Sequence, residues 1–178
     1  MTGTPVKRER GAEPTRGPAM IAYIDGGSRG NPGPAGYGVF ITRAGAAPAD
    51  PPLAELYGFL GVATNNTAEY AALLALLEHA GALRPESLTI RSDSELLIKQ
   101  MKGEYRVKDP KLRILHAEAK RLLTSFGRIV LEHVPRERNK DADALANKAM
   151  DLTDSTGNLP AALHLVLGAT AQPKLPSL

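Results

Sequence analysis

The sequence predicts an α/β domain built on a five-stranded mixed sheet, with three antiparallel strands, two parallel strands and flanking helices. Two observations support this fold class. Short apolar runs separated by Gly- and Pro-rich turns fill the chain up to residue 62, as expected for strands joined by hairpins. Beyond that point, helical patterns alternate with two further strand-like runs. Helical crossovers of this kind place the later strands parallel to the first and make the first strand central.

Three strands open the predicted domain, at residues 20–24, 37–42 and 53–62. The first ends on Asp25, and the run GGSRGNPGPAG follows it. Glycines in such a run let the backbone approach a large ligand closely, because no Cβ intervenes. A plain hairpin turn is an equally good interpretation of the run taken alone.

Four helices and two more strands complete the predicted order. The helices are at residues 68–80, 95–102, 111–125 and 140–150, and the strands at residues 87–91 and 128–134. Asn66 or Thr67 is the predicted N-cap of the first helix, because both residue types accept a hydrogen bond from the first turn. Asp109 followed by Pro110 predicts the start of the third helix, since Pro fits the first helical position.

The two ends of the chain differ from the domain between them. Residues 1–19 carry Lys and Arg among Gly, Pro and Thr without an apolar period, and we expect a disordered basic tail. Residues 20–150 form the predicted domain. Residues 151–178 are an extension of unknown role, in which residues 161–169 are apolar enough to pack on something. Docking on the parent domain and binding a partner are the two alternatives.

Composition excludes several classes of protein. With 178 residues, 43% hydrophobic and 23% charged, the chain fits one soluble domain, and its net charge of +3 permits a polyanionic partner. The absence of Cys excludes disulfides, thiolate metal sites and a Cys nucleophile. No apolar run is long enough to cross a bilayer, and the first residues lack a secretory signal. We therefore expect a cytoplasmic monomer that does not associate with a membrane and uses no organic cofactor.

Four acidic residues fall at element ends that this topology brings together. Asp25 and Asp93 follow the first and fourth strands, which lie side by side in the predicted sheet. Glu69 and Asp143 stand near the starts of the first and last helices and can reach the same edge. Each has an ordinary explanation when taken singly, as a turn former, an N-cap, a capping box or a partner of the helix dipole.

Taken together, the four carboxylates favour a metal site. Converging carboxylates repel one another and raise their own pKa values unless a cation lies between them. Hard oxygen ligands without Cys or a His cluster suit Mg²⁺ or Mn²⁺. Two such ions about 3.5–4 Å apart can activate a water and stabilise the leaving oxygen of a phosphodiester. The pattern thus indicates metal-assisted phosphoryl chemistry and leaves the substrate open.

Four short motifs make the sequence resemble the type 1 ribonuclease H family. They are DGGSRGNPGPAGYG from Asp25, TNNTAEY from Thr64, SDS from Ser92 and ADALA from Ala142, in the order and spacing of that family. The resemblance covers residues 20–150. It implies a ribonuclease H-like fold and an endonuclease that hydrolyses the RNA strand of an RNA–DNA hybrid with two metal ions, leaving 5′-phosphate and 3′-hydroxyl ends.

The resemblance also implies a set of site residues. The catalytic and metal-binding positions are Asp25, Glu69, Asp93 and Asp143. The positions that match substrate contacts are Gly26, Asn31, Asn65, Asn66 and Ser94. Contact through the asparagines is physically reasonable, because the 2′-hydroxyl in the minor groove distinguishes RNA from DNA.

Three features depart from the pattern of many bacterial members. The loop at residues 135–140 lacks the family's histidine, and we interpret His133 as a structural or rim residue of the preceding strand. Glu95 stands where relatives often have Gln. The family's basic protrusion is missing, and residues 103–108 form a short connection instead. Nearby cations could contact phosphates or could simply be solvated; these are Lys99, Lys102, Arg106 and Lys108.

Two rival functions remain open at this stage. One is a hybrid-binding module without catalysis, and the other is a metal-dependent nuclease of the same superfamily that cuts DNA. A pure binding module would have no need to keep four mutually repelling carboxylates. The positions of Asn31, Asn65 and Asn66 favour an RNA–DNA substrate over DNA.

Overall fold

A computed structural model describes residues 16–168, so the predicted basic tail up to residue 15 and the last ten residues lie outside the described part. The five strands are β1 (Met20–Ser28), β2 (Gly33–Arg43), β3 (Ala54–Ala63), β4 (Leu88–Ser92) and β5 (Ile129–His133). They form one sheet in the order β3-β2-β1-β4-β5. β1 and β3 run antiparallel to β2, whereas β4 runs parallel to both β1 and β5. The predicted mixed sheet with a central first strand is confirmed.

Four helices cover the sheet: α1 (Asn65–Leu83), α2 (Glu95–Met101), α3 (Pro110–Leu123) and α4 (Lys140–Leu152). α1 packs on β1 and β2 and is covered in turn by α3, whereas α4 packs on β1, β2 and β3. Helix α1 meets β1 at Gly26, which pairs with Tyr37, and α4 meets β2 at Gly38, which pairs with Asp25. Neighbouring residues of a strand point to opposite faces, so α1 and α4 lie on opposite faces of the sheet. Within residues 16–168, no helix combines the length and apolar character needed to cross a membrane.

The first strand is longer than the sequence predicts. β1 does not end at Ile24 but continues through Asp25 to Ser28, because Gly26–Ser28 pairs with residues 35–37 of β2. Only residues 29–32 remain for the turn, and the Arg29 N–H donates to the Pro34 carbonyl oxygen across it (2.8 Å). The Gly-rich run is therefore a hairpin whose first glycines belong to the strand.

The start of α1 also differs from the prediction. Neither Asn66 nor Thr67 is the N-cap; the Thr64 hydroxyl accepts a hydrogen bond from the Thr67 N–H (3.2 Å), and the helix begins at Asn65. Glu69 consequently lies beyond the first turn, so a capping box with Asn66 does not explain it. At the start of α3 the prediction is confirmed, since the Asp109 carboxylate accepts from the backbone N–H groups of Lys111 and Leu112 (2.8 and 3.0 Å).

The predicted disordered tail ends earlier than expected. Gly17 forms a bridge with Pro85, its N–H donates to the Arg84 carbonyl oxygen (2.8 Å), and its own carbonyl oxygen accepts from the Glu86 N–H (3.1 Å). An added Cβ at Gly17 would collide with the Leu83 carbonyl oxygen, so this close pairing depends on glycine. The prediction of disorder is wrong for residues 17–19.

The extension after α4 docks on the domain. The Ser155 and Thr156 hydroxyls accept hydrogen bonds from the Phe59 and Tyr57 N–H groups along the outer edge of β3 (3.0 and 3.1 Å). A short 3₁₀ helix, Ala161–Leu165, then contacts α3 and buries Leu163 completely in the core. For the described part of the extension, docking is the correct alternative.

We predict that Leu163→Ala lowers the free energy of unfolding by about 2–5 kcal/mol, because it leaves a cavity in a packed core. Leu165→Ala is the matched control. Leu165 lies two residues away on the same 3₁₀ helix with 73% of its surface exposed, so its truncation should change little. Urea denaturation followed by circular dichroism measures both. Equal stability of the two variants would show that the extension does not contribute to the core.

Candidate active site

Three acidic side chains meet where the parallel pairing of β1 with β4 ends. Asp25 lies in β1, and Asp93 follows Ser92, the last residue of β4 and the partner of Ile24. Glu69 reaches the same point from α1. One carboxylate oxygen from each of these three residues lies within 4.8 Å of the others.

Two glycines allow helices to approach Asp25 from both faces of the sheet. At Gly26 an added Cβ would collide with the backbone of Ala68, the residue before Glu69. At Gly38, the partner of Asp25 in β2, an added Cβ would collide with the carbonyl oxygen of Ala142, the residue before Asp143. Any other residue at these positions would push a helix and its carboxylate outward.

Burial and mutual repulsion disfavour ionisation of the cluster. Asp25 is only 8% exposed. Its pKa is raised to about 8, first by burial and then by the charges of Asp93 and Asp143. The pKa of Glu69 is also raised, by burial and by the charges of Asp25 and Asp93. The Gly26 N–H and the Arg136 guanidinium lower it only in part.

The cluster fits a divalent cation. The Glu69 Oε2 atom is buried and has no hydrogen-bond partner within residues 16–168, which is costly for a carboxylate oxygen unless another ligand satisfies it. Carboxylate oxygens are the ligands that Mg²⁺ and Mn²⁺ prefer. Asp25, Glu69 and Asp93 could together hold such an ion.

Asp143 lies at the mouth of the same cleft. It stands in the first turn of α4, is exposed, and lines a cleft of about 440 Å³ together with the three clustered acids. It is not part of the group of oxygens within 4.8 Å, although its charge helps to raise the pKa of Asp25. The topology thus brings all four predicted acids to one cleft, with Asp143 at the periphery.

The predicted substrate contacts divide between two adjoining clefts. Gly26, Asn65 and Ser94 line the acidic cleft, whereas Asn31 and Asn66 line a neighbouring one of about 650 Å³. Hydrogen bonds connect residues that line the two clefts. The Ser28 N–H donates to Asn65 Oδ1 (2.8 Å), and the Asn65 N–H donates to Asn31 Oδ1 (3.1 Å). Ser94 is also the N-cap of α2, where its hydroxyl accepts from the Leu97 N–H (3.2 Å).

Asn139 is a residue that the sequence analysis missed. Its side chain is 1% exposed, and its Nδ2 donates to the carbonyl oxygen of Ile24, the residue before Asp25 (2.9 Å). The backbone carbonyl oxygen of Asn139 accepts a hydrogen bond from the Asp143 N–H (3.1 Å). Asn139 therefore ties the strand that carries Asp25 to the helix that carries Asp143. The only sequence signal is an Asn just before a helix, which normally indicates an N-cap, and here the side chain makes no cap bond.

The ionisable residues near the cleft differ in position and in contacts. The exposed Arg136 guanidinium lies 3.8 Å from Asp93 Oδ2 at the rim. Glu95 forms an ion pair with Lys99 (2.7 Å), which lowers the pKa of Glu95, and neither residue lines the acidic cleft. His133 ends β5, is exposed, and has its Nε2 3.3 Å from the Asp93 carbonyl oxygen.

Comparison with known proteins agrees with this architecture. The family model described as "Reverse transcriptase-like" matches residues 24–149. Ribonuclease HI of Halobacterium salinarum is 43% identical over 150 residues, which cover 84% of this chain and 73% of that protein. The bifunctional protein Rv2228c of Mycobacterium tuberculosis is 48% identical over 132 residues, which are 74% of this chain and 35% of that protein. The chain thus spans about a third of that relative's length.

Solved structures of similar chains share the fold. The N-terminal RNase H domain of Rv2228c superposes with a TM-score of 0.70 at 46% identity, covering 75% of this chain and 94% of that one. LC11-RNase H1, solved in complex with an RNA/DNA hybrid, gives a TM-score of 0.68 at 40% identity, covering 75% of this chain and 98% of that one. With its fold, its strand-end acids and these relatives, the chain belongs to the type 1 ribonuclease H family.

Proposed function

We propose that this chain hydrolyses the RNA strand of RNA–DNA hybrids endonucleolytically, leaving 5′-phosphate and 3′-hydroxyl ends. The observation that carries the proposal is the cluster of Asp25, Glu69 and Asp93 oxygens within 4.8 Å, where the pairing of β1 with β4 ends. Family membership supports the reaction class, and the hybrid bound to LC11-RNase H1 supports the substrate.

The proposal assigns the metal to the four acids. Asp25, Glu69 and Asp93 would hold it, with Asp143 as a further ligand at the mouth of the cleft. Two Mg²⁺ or Mn²⁺ ions bound there would supply a water of lowered pKa and stabilise charge on the departing oxygen. A cation at this point would give the buried Glu69 Oε2 atom a partner and would favour the ionised form of Asp25, whose pKa is otherwise raised.

Side chains around the acids would bind and orient the hybrid. The Oδ1 atoms of Asn31 and Asn65 already accept backbone hydrogen bonds, so each residue has its amide nitrogen available to donate to a ligand oxygen. A ribose 2′-hydroxyl is such an acceptor and is present only in RNA. Arg136, exposed at the rim beside Asp93, can donate to a phosphate oxygen.

The two rival functions explain fewer of these observations. A hybrid-binding module has no use for buried carboxylates that repel one another, and replacing them would stabilise it. For a DNA-cutting nuclease, the 2′-hydroxyl that the fixed asparagine amides could bind is absent from the substrate. The preferred metal, a monomeric state and cytoplasmic localisation stay predictions.

The first experiment is cleavage of an end-labelled RNA–DNA hybrid with Mg²⁺, Mn²⁺ or EDTA, with double-stranded DNA and double-stranded RNA as controls. We expect metal-dependent cutting of the RNA strand of the hybrid and no cutting of duplex DNA. Cleavage of DNA would support the rival nuclease. Binding of the hybrid without cleavage under either metal would support the binding module.

We predict that Asp25→Asn and Asp93→Asn each reduce hybrid cleavage by at least about a thousandfold, because the loss of a ligand removes several kcal/mol of charge stabilisation. Hybrid binding should survive, since the groove contacts remain. Asp141→Asn is the control. Asp141 is an exposed acid in the first turn of α4, the turn that also carries Asp143, and it does not line the cleft. Full activity in both cleft variants would refute the metal assignment.

We further predict that the metal-free protein loses stability as the pH rises. The pKa of Asp25 is about 8 in the folded protein and near the ordinary 3.8 in the unfolded chain, so the folded state holds a proton that the unfolded state releases. The contribution of the Asp25 carboxyl group to the free energy of unfolding therefore falls between about pH 4 and pH 8 and is constant above pH 8. Urea denaturation in EDTA at pH 5, 6.5 and 8 measures it. The difference between wild type and Asp25→Asn should grow with pH in favour of the variant, and a pH-independent difference would contradict the prediction.

A further inference from the structure

The extension after α4 ends at the second cleft. The match to the family model stops at residue 149, before this segment begins. Val166, Leu167 and Gly168, the last described residues, line the cleft of about 650 Å³ that also contains Asn31 and Asn66. The extension thus supplies one wall of a cleft whose other side carries two predicted substrate contacts.

The position of this wall is fixed by described contacts. Leu163 is fully buried in the core, and its carbonyl oxygen accepts hydrogen bonds from the N–H groups of Val166 (3.1 Å) and Leu167 (2.9 Å). Upstream, Ser155 and Thr156 bind the edge of β3. The chain is therefore anchored at two places before it reaches the cleft.

The second cleft continues the acidic one. Asn65 lines the acidic cleft and Asn66 lines the second, and the hydrogen bond from the Asn65 N–H to Asn31 Oδ1 spans their border. A duplex presents phosphates along its whole length, about one charge per 1.7 Å of axis, so a hybrid held at the acids extends past this border.

The cleft carries one cationic side chain that a phosphate could contact, beside one acidic side chain. Lys111 lines it, and the carboxylate of Asp109 is engaged by the backbone N–H groups at the start of α3. Continuity with the acidic cleft favours the hybrid itself over a separate protein partner as the occupant.

We propose that residues 166–168 are part of the hybrid-binding surface and contact the nucleic-acid backbone, so that the extension sets affinity for the hybrid rather than the rate of bond cleavage. This inference rests on the proposed function. It assigns a substrate-binding role to a segment outside the part matched by the family model.

A pair of opposite charges at Gly168 tests the proposal. An added Cβ at Gly168 meets no atom of the described residues within 4 Å, so Gly168→Glu and Gly168→Lys bring charge to the wall without a collision with them. Gly157→Glu and Gly157→Lys are the controls. Gly157 lies in the same extension with equally open surroundings, and it does not line the cleft.

We expect Gly168→Glu to raise KM for the hybrid about three- to tenfold at low salt and Gly168→Lys to lower it, with kcat unchanged in both, because the new charge repels or attracts phosphate. The two effects should shrink as salt screens the charge. The Gly157 pair should leave KM near the wild-type value. Urea denaturation of all four variants confirms equal folding.

Binding is also measured directly, by fluorescence anisotropy of a labelled hybrid in EDTA. Opposite shifts for the Gly168 pair support the proposal. Equal KM and Kd across both pairs, or the same weakening by Glu and Lys at Gly168, would overturn it. If wild-type protein binds the hybrid without cutting it under either metal, the proposed hydrolysis fails, while the anisotropy series still decides the role of the wall.

Discussion

Close backbone contact at two glycines is the constraint on which the site depends. Helix α1 contacts β1 at Gly26, and α4 contacts β2 at Gly38, so closely that neither position has room for a Cβ. Asp25 lies beside the first glycine in sequence and opposite the second in the sheet. Because the two helices cover opposite faces, carboxylates from both faces can converge on one strand end.

That convergence has a cost in the folded protein. Asp25 and Glu69 lose water on folding and face the charges of neighbouring acids, and both pKa values rise as a result. The fold tolerates the repulsion because the acids lie at the edge of a large apolar core, in which Ile24 and Ile90 of the neighbouring central strands are fully buried. A binding site that destabilises its own fold is expected where a cation restores the balance.

The order of strands and helices and the four acids could be predicted from local sequence patterns. The exact end of β1 and the role of Asn139 depend on contacts between distant segments and could not be predicted in this way. The alternation of strands and helices is visible in the sequence, and Asp25 and Asp93 are acids that follow apolar, strand-like runs. The predicted end of β1 was wrong, because Gly26–Ser28 has the composition of a loop and only its pairing with β2 shows that it is a strand. Asn139 was missed for the same reason, since its partner is the Ile24 carbonyl oxygen, 115 residues away.

The extension is a structural part of the fold, and the proposed contact with the hybrid would give the same segment a functional role. An edge strand such as β3 exposes unpaired N–H groups, and the Ser155 and Thr156 hydroxyls satisfy two of them. Leu163 then fixes the segment in the core, and this anchoring determines where its last described residues lie. A wall that is held by buried contacts can bind a ligand without first becoming ordered, so less of the binding energy is lost to entropy. Residues that anchor the segment and residues that line the cleft are distinct, and their effects on stability and on affinity are therefore separable.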